Sequence, residues 1–543
     1  MLDSLRVPSW VHKVLSDILV GGFLELAAIL LIDRPRVRSR LPIRWAQSVR
    51  TVLFRGYEKI DRALFRAAND AFACVDASRL LADTRTLQLA PTEDVPYRTF
   101  ADEDVARVRL ERLDVILKSC AGVLSGSILG AARYGVWSLR HGQTMDAGQG
   151  ASLLWEIHER RPVSTSVLEI LADPPDAGRV IYRSFGATDF SSLYRNANKK
   201  AWKASDFPTR CLRDLWERGA DALASAEVRL GPRAQGPTVR KPPGNWTMVR
   251  FLATLACRFI YNRYETHLLS YKWFLAARAR REFSGDAFDA SGFEVIRAPR
   301  GRFWADPFLL EDGSATHVFF EDVGYADKKG VISHLRIDAD GTRSPQTVVL
   351  EREYHLSYPF VFRWQDQVFM IPETAKNRTI ELYRATAFPL RWELERVLFE
   401  DVYAVDATLL EHAGRFWLFV NMSPSGGAVD DELFLFFADS PLGPWQPHPM
   451  NPIVSDVRSA RPAGRPFMHG QEIVRPSQDG SGRYGNAILL NRIETLSETA
   501  YRETCLARIE PDWHPRCVGT HTINRGEDHE VIDGYEYVWR WSR

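Results

Sequence analysis

Three segments in the second half of the chain repeat one pattern at a spacing near 50 residues. They are DPFLLEDGSATHVFFE from Asp306, YPFVFRWQDQVFMIPE from Tyr358 and DATLLEHAGRFWLFV from Asp406, and their first residues lie 52 and 48 positions apart. Each predicts an apolar strand, a polar or glycine turn and an aromatic strand. A repeat of about 50 residues is typical of β-propeller blades, and the roughly 240 residues available suffice for five blades. The alternative is a β-sandwich whose hairpins are similar by chance.

The first half of the chain alternates helix-like and strand-like stretches. Helices are predicted for 8–19, 44–66, 125–134, 151–160 and 189–218, and strands for 24–33, 113–120, 135–139, 164–171 and 179–187. This alternation predicts an α/β domain with a mostly parallel sheet covered by helices. Because the chain opens with MLDSLRVPSW, the strand before the first helix is expected to be nearly absent. Its loss would expose neighbouring strand edges.

A linker and one long helix are predicted between the two halves. Residues 231–244 are rich in proline, glycine and basic residues, which is typical of a linker. Residues 246–281 predict a helix with one apolar face and several arginines on the other. A bridging helix packed between domains is the favoured interpretation, and peripheral contact with an anionic membrane surface is the alternative. The predicted domains are therefore 1–230, a connecting segment 231–290, and a propeller over 291–543.

Charge and cysteine content exclude several classes of protein. The chain has 70 basic and 69 acidic residues, so no overall charge attracts it to nucleic acid. Its six cysteines form no CxxC pair, which argues against a structural zinc site and favours a reducing compartment. The first residues lack the layout of a signal peptide, and a cytoplasmic location is expected.

Ordered motifs in the second half resemble the N-terminal domain of glucosamine inositolphosphorylceramide transferases and related bacterial proteins. The motifs are FWADPFL (303–309), HLSYPFVF (355–362), MIPET (370–374), ELYRA (381–385), HPMNPIVSD (448–456), SARPAGR (459–465) and RPSQD (475–479). That domain is similar in fold to the five-bladed propeller glycosidases of the arabinanase and xylosidase type. The resemblance implies that three carboxylates from different blades meet at the central funnel.

The resemblance carries catalytic roles to particular carboxylates. Asp306 matches the general base, and Asp406 matches a second acid that tunes its partner and holds the sugar. The third carboxylate is open between Glu472, which has the expected order along the chain, and Glu373, which lies in a clearer motif. Glycosidic bond chemistry needs such groups because one handles the nucleophile and another protonates the leaving oxygen. The alternative for Asp306 is a turn-capping aspartate before proline.

Further polar residues of these motifs are candidates for substrate binding. They are His355, Tyr358, Arg461, Arg475, Gln478 and Asp479. Arg461 and Arg475 would suit a phosphate or carboxylate as bidentate donors. An internal ion pair, for example between Arg475 and Asp479, is the alternative. The motifs require no metal.

Residues 135–184 of the first half resemble the formyltransferase fold of formyl-folate-dependent enzymes. Those enzymes use an Asn-x-His pair after one strand and an aspartate in a D-x-G turn, which Asp176 matches. Ser138 occupies the asparagine position and Arg140 the histidine position, while His141 comes one residue late. Arginine does not act as a base at neutral pH, and a one-residue shift reverses a strand side chain. The cofactor implied by this resemblance is 10-formyltetrahydrofolate.

Three functions follow as hypotheses. The first is a carbohydrate-active transferase that modifies an amino-sugar-containing glycan or glycolipid, with the propeller binding or processing the sugar. The second is a sugar-amine N-formyltransferase in which the propeller holds the acceptor. The third is a non-catalytic glycan-binding scaffold with a degenerate formyltransferase domain.

Overall fold

The computed structural model describes residues 1–33, 49–92, 97–142, 144–145, 149–174, 177–224, 238–239, 242–282, 288–313, 315–423 and 428–542. The chain divides into two units. The first unit spans Met1–Phe259, and the second holds Ile260–Pro424 and Ala428–Arg543. Most of the predicted linker 231–244 and the candidate Asp176 lie outside the described residues.

The first unit is an α/β structure. Its strands are β1 Arg6–Pro8, β2 Ala28–Ile32, β3 Cys74–Asp76, β4 Arg85–Leu89, β5 Tyr97–Arg98, β6 Ile116–Lys118, β7 Val123–Leu124, β8 Val136–His141, β9 Thr144–Met145, β10 Val163–Ile170, β11 Arg179–Ala187 and β12 Thr238–Val239. Its helices are α1 Ser9–Val20, α2 Val52–Phe65, α3 Asp102–Leu110, α4 Gln149–His158, α5 Leu193–Ala204 and α6 Phe207–Arg218. The helix predicted for 125–134 is only a short 3₁₀ turn, Ser127–Gly130.

The main sheet of the first unit has the strand order β11-β10-β8-β6, and β6 runs parallel to β8. The pairs β8–β10 and β10–β11 are antiparallel, so the sheet is mixed rather than mostly parallel. A connection of only eight residues joins β10 to β11, which is too short for a parallel crossover.

Ahead of β1, Leu2 forms only an isolated parallel bridge with Leu31 of β2, which agrees with the expectation that a full strand is nearly absent here. Leu2 N donates to Leu30 O at 2.9 Å, on the side of β2. The amino group of Met1 donates to Leu117 O at 2.8 Å, on the side of β6. A segment this short has no apolar period to recognise, so its hydrogen bonds to both neighbours are not predictable from its pattern.

The second unit contains five four-stranded antiparallel sheets, which confirms the five predicted blades. Blade one is β15 Arg302–Asp312, β16 Ala315–Gly324, β17 Gly330–Ile337 and β18 Thr347–Leu350; blade two is β19 Ser357–Trp364, β20 Gln367–Thr374, β21 Thr379–Ala387 and β22 Arg391–Phe399; blade three is β23 Ala404–His412, β24 Arg415–Met422, β25 Leu433–Ala438 and β26 Gln446–Pro447; blade four is β27 Phe467–His469, β28 Glu472–Asp479, β29 Ala487–Leu496 and β30 Tyr501–Ile509.

Blade five closes the propeller with strands from both ends of the unit. Its order is β14-β13-β32-β31, where β13 is Leu269–Ala279, β14 is Glu294–Ile296, β31 is Ile523–Arg525 and β32 is His529–Trp539. The early strand β13 pairs antiparallel with the late strand β32 along its whole length. This pairing removes the open edges that an incomplete ring would have.

The prediction of one helix over 246–281 was wrong for the last third of that range. Helix α7 is Asn245–Leu268, and the chain then continues directly as β13. Residues 273–277 of β13 are buried on both faces because the strand is central in its blade. A continuous apolar run of this kind does not distinguish a buried strand from a helix.

The inner strands of neighbouring blades contact one another around the ring. Phe308 of blade one packs on Tyr358 of blade two, with ring centroids 4.7 Å apart. Blade four joins blade five through Ile523 N, which donates to Ala463 O at 2.8 Å. The propeller core is rich in fully buried aromatic side chains, including Phe308, Phe319 and Phe360. These contacts bring the first residues of the inner strands together.

Candidate active site

Three blades begin with the same backbone irregularity. Asp306, Tyr358 and Asp406 have φ values of +51°, +44° and +54°. At each position a β-bulge shifts the register against the second strand of the blade. A residue other than glycine in this region costs on the order of 1–3 kcal/mol, and such strain clusters at functional sites. The predicted repeat therefore marks three equivalent strained positions on the inner strands.

Asp406 is held by two side chains of the fourth blade. Arg461 Nε lies 2.5 Å from Asp406 Oδ2, and Arg461 Nη2 lies 3.4 Å from Oδ1. Gln478 Nε2 donates to Asp406 Oδ2 at 3.1 Å. The Asp406 side chain is buried. These bonds fix the orientation of a carboxylate that has little access to solvent.

Glu373 is the third carboxylate that the structure brings to this place. Arg461 Nη2 lies 4.0 Å from Glu373 Oε2, so one guanidinium faces both Glu373 and Asp406. Burial, followed by the charge of Asp406, raises the pKa of Glu373 well above its ordinary value. This shift favours the protonated form of Glu373, which is the form that can donate a proton.

Asp306 sits against the fifth blade. Thr522 Oγ1 donates to Asp306 Oδ1 at 2.8 Å, and the backbone N of Asp306 donates to Asp533 Oδ2 at 3.1 Å. Burial raises the pKa of Asp306 to about 7, with His521 opposing the shift. Asp306 is therefore poised to exchange a proton near neutral pH.

His521 carries the positive charge of this side of the site. Its Nδ1 lies 2.6 Å from Asp533 Oδ2, and its Nε2 lies 3.5 Å from Asp306 Oδ1. Burial opposes the charge of the imidazole, but Asp533 and then Asp306 outweigh it and raise the pKa of His521 to about 9. Possible metal-ligand atoms of these three residues lie within 4.8 Å of one another. A divalent cation at this place would compete with the proton of His521. In this structure the protonated imidazole balances the negative charge of Asp306 and Asp533.

A fourth acidic residue, Glu321, was missed in the sequence. It lies opposite Ala305 in blade one, as Glu373 lies opposite Ser357 in blade two. The signal was present, because the first two repeated segments both end in this glutamate. His355 Nε2 lies 2.9 Å from Glu321 Oε1, and the pKa of His355 is raised by this hydrogen bond. His355 is thus a partner of Glu321, and its role in substrate binding stays a prediction.

Two aromatic residues next to the carboxylates were also missed. The Tyr484 ring is half exposed, and the Arg461 guanidinium lies 5.3 Å from its centroid. Its centroid is 5.1 Å from that of His521, whose other neighbour Trp273 stacks on it at 4.1 Å. Tyr484 follows the RPSQD motif by five residues and is not itself charged, and Trp273 lies in the stretch mistaken for a helix. An exposed ring beside the carboxylates offers an apolar face to a ligand.

Three of the predicted site residues have structural partners elsewhere in the fourth blade. Glu472 is exposed and faces Arg492 Nη1 at 3.3 Å, at the opposite end of β28 from Gln478. Arg475 is fully buried, and its Nε and Nη2 bind the Glu503 carboxylate at 2.8 and 2.6 Å. The structure therefore does not bring Glu472 to the other carboxylates, nor does it leave Arg475 open to an anion.

Asp479 also has a structural role, and it does not pair with Arg475. Its Oδ1 accepts from Ser481 N at 2.8 Å, and its Oδ2 is bound by Arg508. Tyr358, by contrast, lies on an inner strand near the centre of the ring of blades. Its hydroxyl lies 2.9 Å from Thr408 Oγ1 and accepts from Gly464 N at 2.8 Å, so it ties three blades together.

The candidate residues of the first unit form a different environment. Arg140 binds the Glu169 carboxylate through Nε and Nη2, both at 3.1 Å. His141 is buried, and its Nδ1 lies 3.0 Å from Ser166 Oγ. Burial, followed by the nearby positive charges, lowers the pKa of His141 to about 3. These residues and Ser138 line a cavity of about 410 Å³. The formyltransferase resemblance remains a prediction.

The second unit is thus a five-bladed β-propeller with an axial cluster of carboxylates. The family described as glucosamine inositolphosphorylceramide transferase 1, N-terminal, matches residues 295–513. Transferases of this name from Oryza sativa subsp. japonica and Arabidopsis thaliana are 40% and 38% identical over 205 residues. Each match covers 37% of this chain and 27% of the relative, so the chain spans about a quarter of the curated relatives it matches.

Solved structures similar to the chain include two carbohydrate-active enzymes. Zg3597, a family 117 glycoside hydrolase of Zobellia galactanivorans, has a TM-score of 0.32 and 12% identity, covering 49% of this chain and 90% of its own. An exo-1,5-α-L-arabinanase from a bovine ruminal metagenomic library has a TM-score of 0.32 and 13% identity, covering 44% and 92%.

Proposed function

We propose that this protein is a carbohydrate-active transferase that transfers a glycosyl group, with an amino-sugar-containing glycan or glycolipid as its substrate. The observation that carries the proposal is that the buried Asp306 and Asp406 and the partly buried Glu373, from three blades, lie near one another. The names of the relatives that match residues 295–513 support transfer of glucosamine to an inositolphosphorylceramide.

The three carboxylates differ in ways that suit glycosyl transfer. The bond between the anomeric carbon and the leaving oxygen breaks, and a bond from the anomeric carbon to the acceptor oxygen forms. Asp306, with a pKa of about 7, accepts the proton of the acceptor hydroxyl. Glu373, whose pKa is well raised, donates a proton to the leaving oxygen. Asp406, oriented by Arg461, faces the positive charge that develops on the sugar ring.

The test is a transfer assay with the full chain. The substrates are a nucleotide-activated glucosamine and detergent-dispersed inositolphosphorylceramide, and the product is measured by mass spectrometry. We expect Asp306→Asn and Glu373→Gln each to lower kcat by about 10²–10⁴-fold, the usual contribution of an acid or base. Glu472→Gln is the matched control, because Glu472 is exposed and pairs with Arg492. It should leave the rate unchanged.

Two results would overturn this assignment. Equal product formation by wild type, Asp306→Asn and Glu373→Gln would move the chemistry away from the axial cluster. Absence of turnover in the wild type, together with calorimetric binding of the glycan that Asp306→Asn does not alter, would favour the glycan-binding scaffold.

The formyltransferase alternative is the weaker proposal. It would need a base at the end of β8, where His141 is buried and its pKa is lowered to about 3. Arg140 holds Glu169 and offers no basic atom. Product formation that depended on 10-formyltetrahydrofolate would restore that alternative.

A further inference from the structure

One end of the propeller carries an exposed aromatic collar. The collar consists of Tyr261 and Tyr264 in α7, Tyr271 in β13, and Trp539 and Trp541 at the end of blade five. All five side chains are exposed, with Tyr261 at 62% and Trp541 at 68%. Isolated exposed aromatic side chains are common, but five within two short segments form a patch that needs an explanation.

Direct contacts hold the collar segments together. Leu269, the first residue of β13, pairs with Trp539 in the register of blade five. Trp539 stacks on Trp541 with centroids 4.9 Å apart. Tyr271 packs on Tyr537 at 5.3 Å. The end of α7, the start of β13 and the end of β32 therefore form one surface within the second unit.

The charge of this surface is complementary to an anionic layer. Arg263 and Arg540 are exposed among the aromatic residues. The only acidic residues in 260–272 and 536–541 are Glu265 and Glu536. Glu536 is buried and bound by Arg297, and Glu265 hydrogen-bonds with Tyr537. Arg297 neutralises Glu536, so Arg263, Lys272 and Arg540 outnumber the one remaining acid, Glu265, and the surface carries net positive charge.

We infer that the collar binds the headgroup region of an anionic lipid bilayer, with the propeller lying on the membrane surface. Tryptophan and tyrosine favour this region because their rings are apolar and their N–H and O–H groups are polar. Exposed arginines add attraction to anionic lipids. Among the described residues no helix is long and apolar enough to cross a membrane, so contact at the interface is the form that the collar allows.

This inference rests on the proposed function in one respect, since a lipid acceptor gives membrane contact its purpose. Vesicle binding needs no turnover, so the two proposals fail separately. The experiment is co-sedimentation of the full chain with vesicles of phosphatidylcholine alone and of phosphatidylcholine with 30% phosphatidylserine. We expect binding to the mixed vesicles that weakens as salt increases, because salt screens the arginines.

The test variant is Tyr261→Ser/Tyr264→Ser/Trp541→Ser, with Tyr403→Ser/Leu390→Ser as the control. Tyr403 and Leu390 are exposed hydrophobic residues outside the collar. The collar variant should lower vesicle binding at least fivefold and keep its turnover on a detergent-dispersed acceptor, while the control binds like wild type. Binding that the collar variant does not weaken would overturn the inference. So would a wild type that ignores vesicles and forms a dimer that the collar variant dissociates.

Discussion

The polar residues on the inner strands of the propeller differ from those at the end of β8 in the first unit in their backbone conformation and in how they are hydrogen-bonded. Asp306 and Asp406 have strained backbones, and burial raises the pKa of Asp306 to about 7. In the first unit, Arg140 and His141 lie in regular antiparallel register with β10 and are satisfied by Glu169 and Ser166. Unfavourable features persist where function requires them. The strained backbone is the feature that distinguishes the two regions, and it favours the propeller as the place of the proposed chemistry.

The largest expected effect that would sharpen this comparison is the dependence of the free energy of unfolding on pH. Asp306 has a pKa of about 7 in the folded protein and ordinarily about 4. Its contribution to the free energy of unfolding is therefore complete below about pH 4 and is lost as the pH rises through 7. His521 has a pKa of about 9 and ordinarily about 6.5, so its contribution is complete below about pH 6.5 and lost through 9. The free energy of unfolding of the propeller should fall by up to about 4 kcal/mol between pH 6 and 9, roughly one pKa unit from Asp306 and two from His521 at about 1.4 kcal/mol each.

Urea unfolding followed by near-ultraviolet circular dichroism measures this loss. Asp306→Asn should make the profile less steep between pH 6 and 7.5, because asparagine does not titrate and only the loss from His521 remains. Asp401→Asn is the control, since the Asp401 side chain is 97% exposed. A wild-type profile that is flat from pH 6 to 9 would mean that the axial groups are as well satisfied as those of the first unit.

A smaller effect is expected at the aromatic wall. Tyr484→Ala should raise KM for the sugar substrate about fivefold to tenfold with little change in kcat, because a stacked ring contributes about 0.5–1.5 kcal/mol to binding. Tyr484→Phe keeps the ring and should behave like wild type. Steady-state kinetics with Tyr403→Ala as the control would measure both values. A fall in kcat with unchanged KM would instead give Tyr484 a part in the chemical step.

The smallest effect tests the backbone strain itself. At Asp406 a glycine variant should be more stable than an alanine variant by about 1 kcal/mol, because glycine adopts a positive φ without strain. At His141, which lies in an ordinary strand, alanine should be the more stable by about 0.5–1 kcal/mol. At each position both variants lack the native side chain, so the difference between them measures the conformational preference of the backbone. The same preference at both positions would contradict the contrast between the two regions.

The sequence predicted those features that repeat along the chain. The period near 50 residues identified the blades, and the resemblance of the motifs identified Asp306, Tyr358 and Asp406 as candidates. Contacts distant in sequence were harder to predict. β13 resembled a helix because its burial is decided by β32, some 260 residues later. His521, Tyr484 and Trp273 reach the site only after the ring closes, and the partners of Arg475 and Glu472 depend on pairing between strands.

The most direct test of the account is product formation by two variants in one transfer assay. Glu373→Gln removes the proton donor proposed in the propeller, and His141→Gln replaces a neutral buried imidazole in the first unit with a neutral amide. With both variants folded by circular dichroism, we predict that Glu373→Gln lowers product formation by about 10²–10⁴-fold and that His141→Gln keeps the wild-type rate. Loss of product in His141→Gln alone, with Glu373→Gln active, would contradict the account and place the reaction in the first unit.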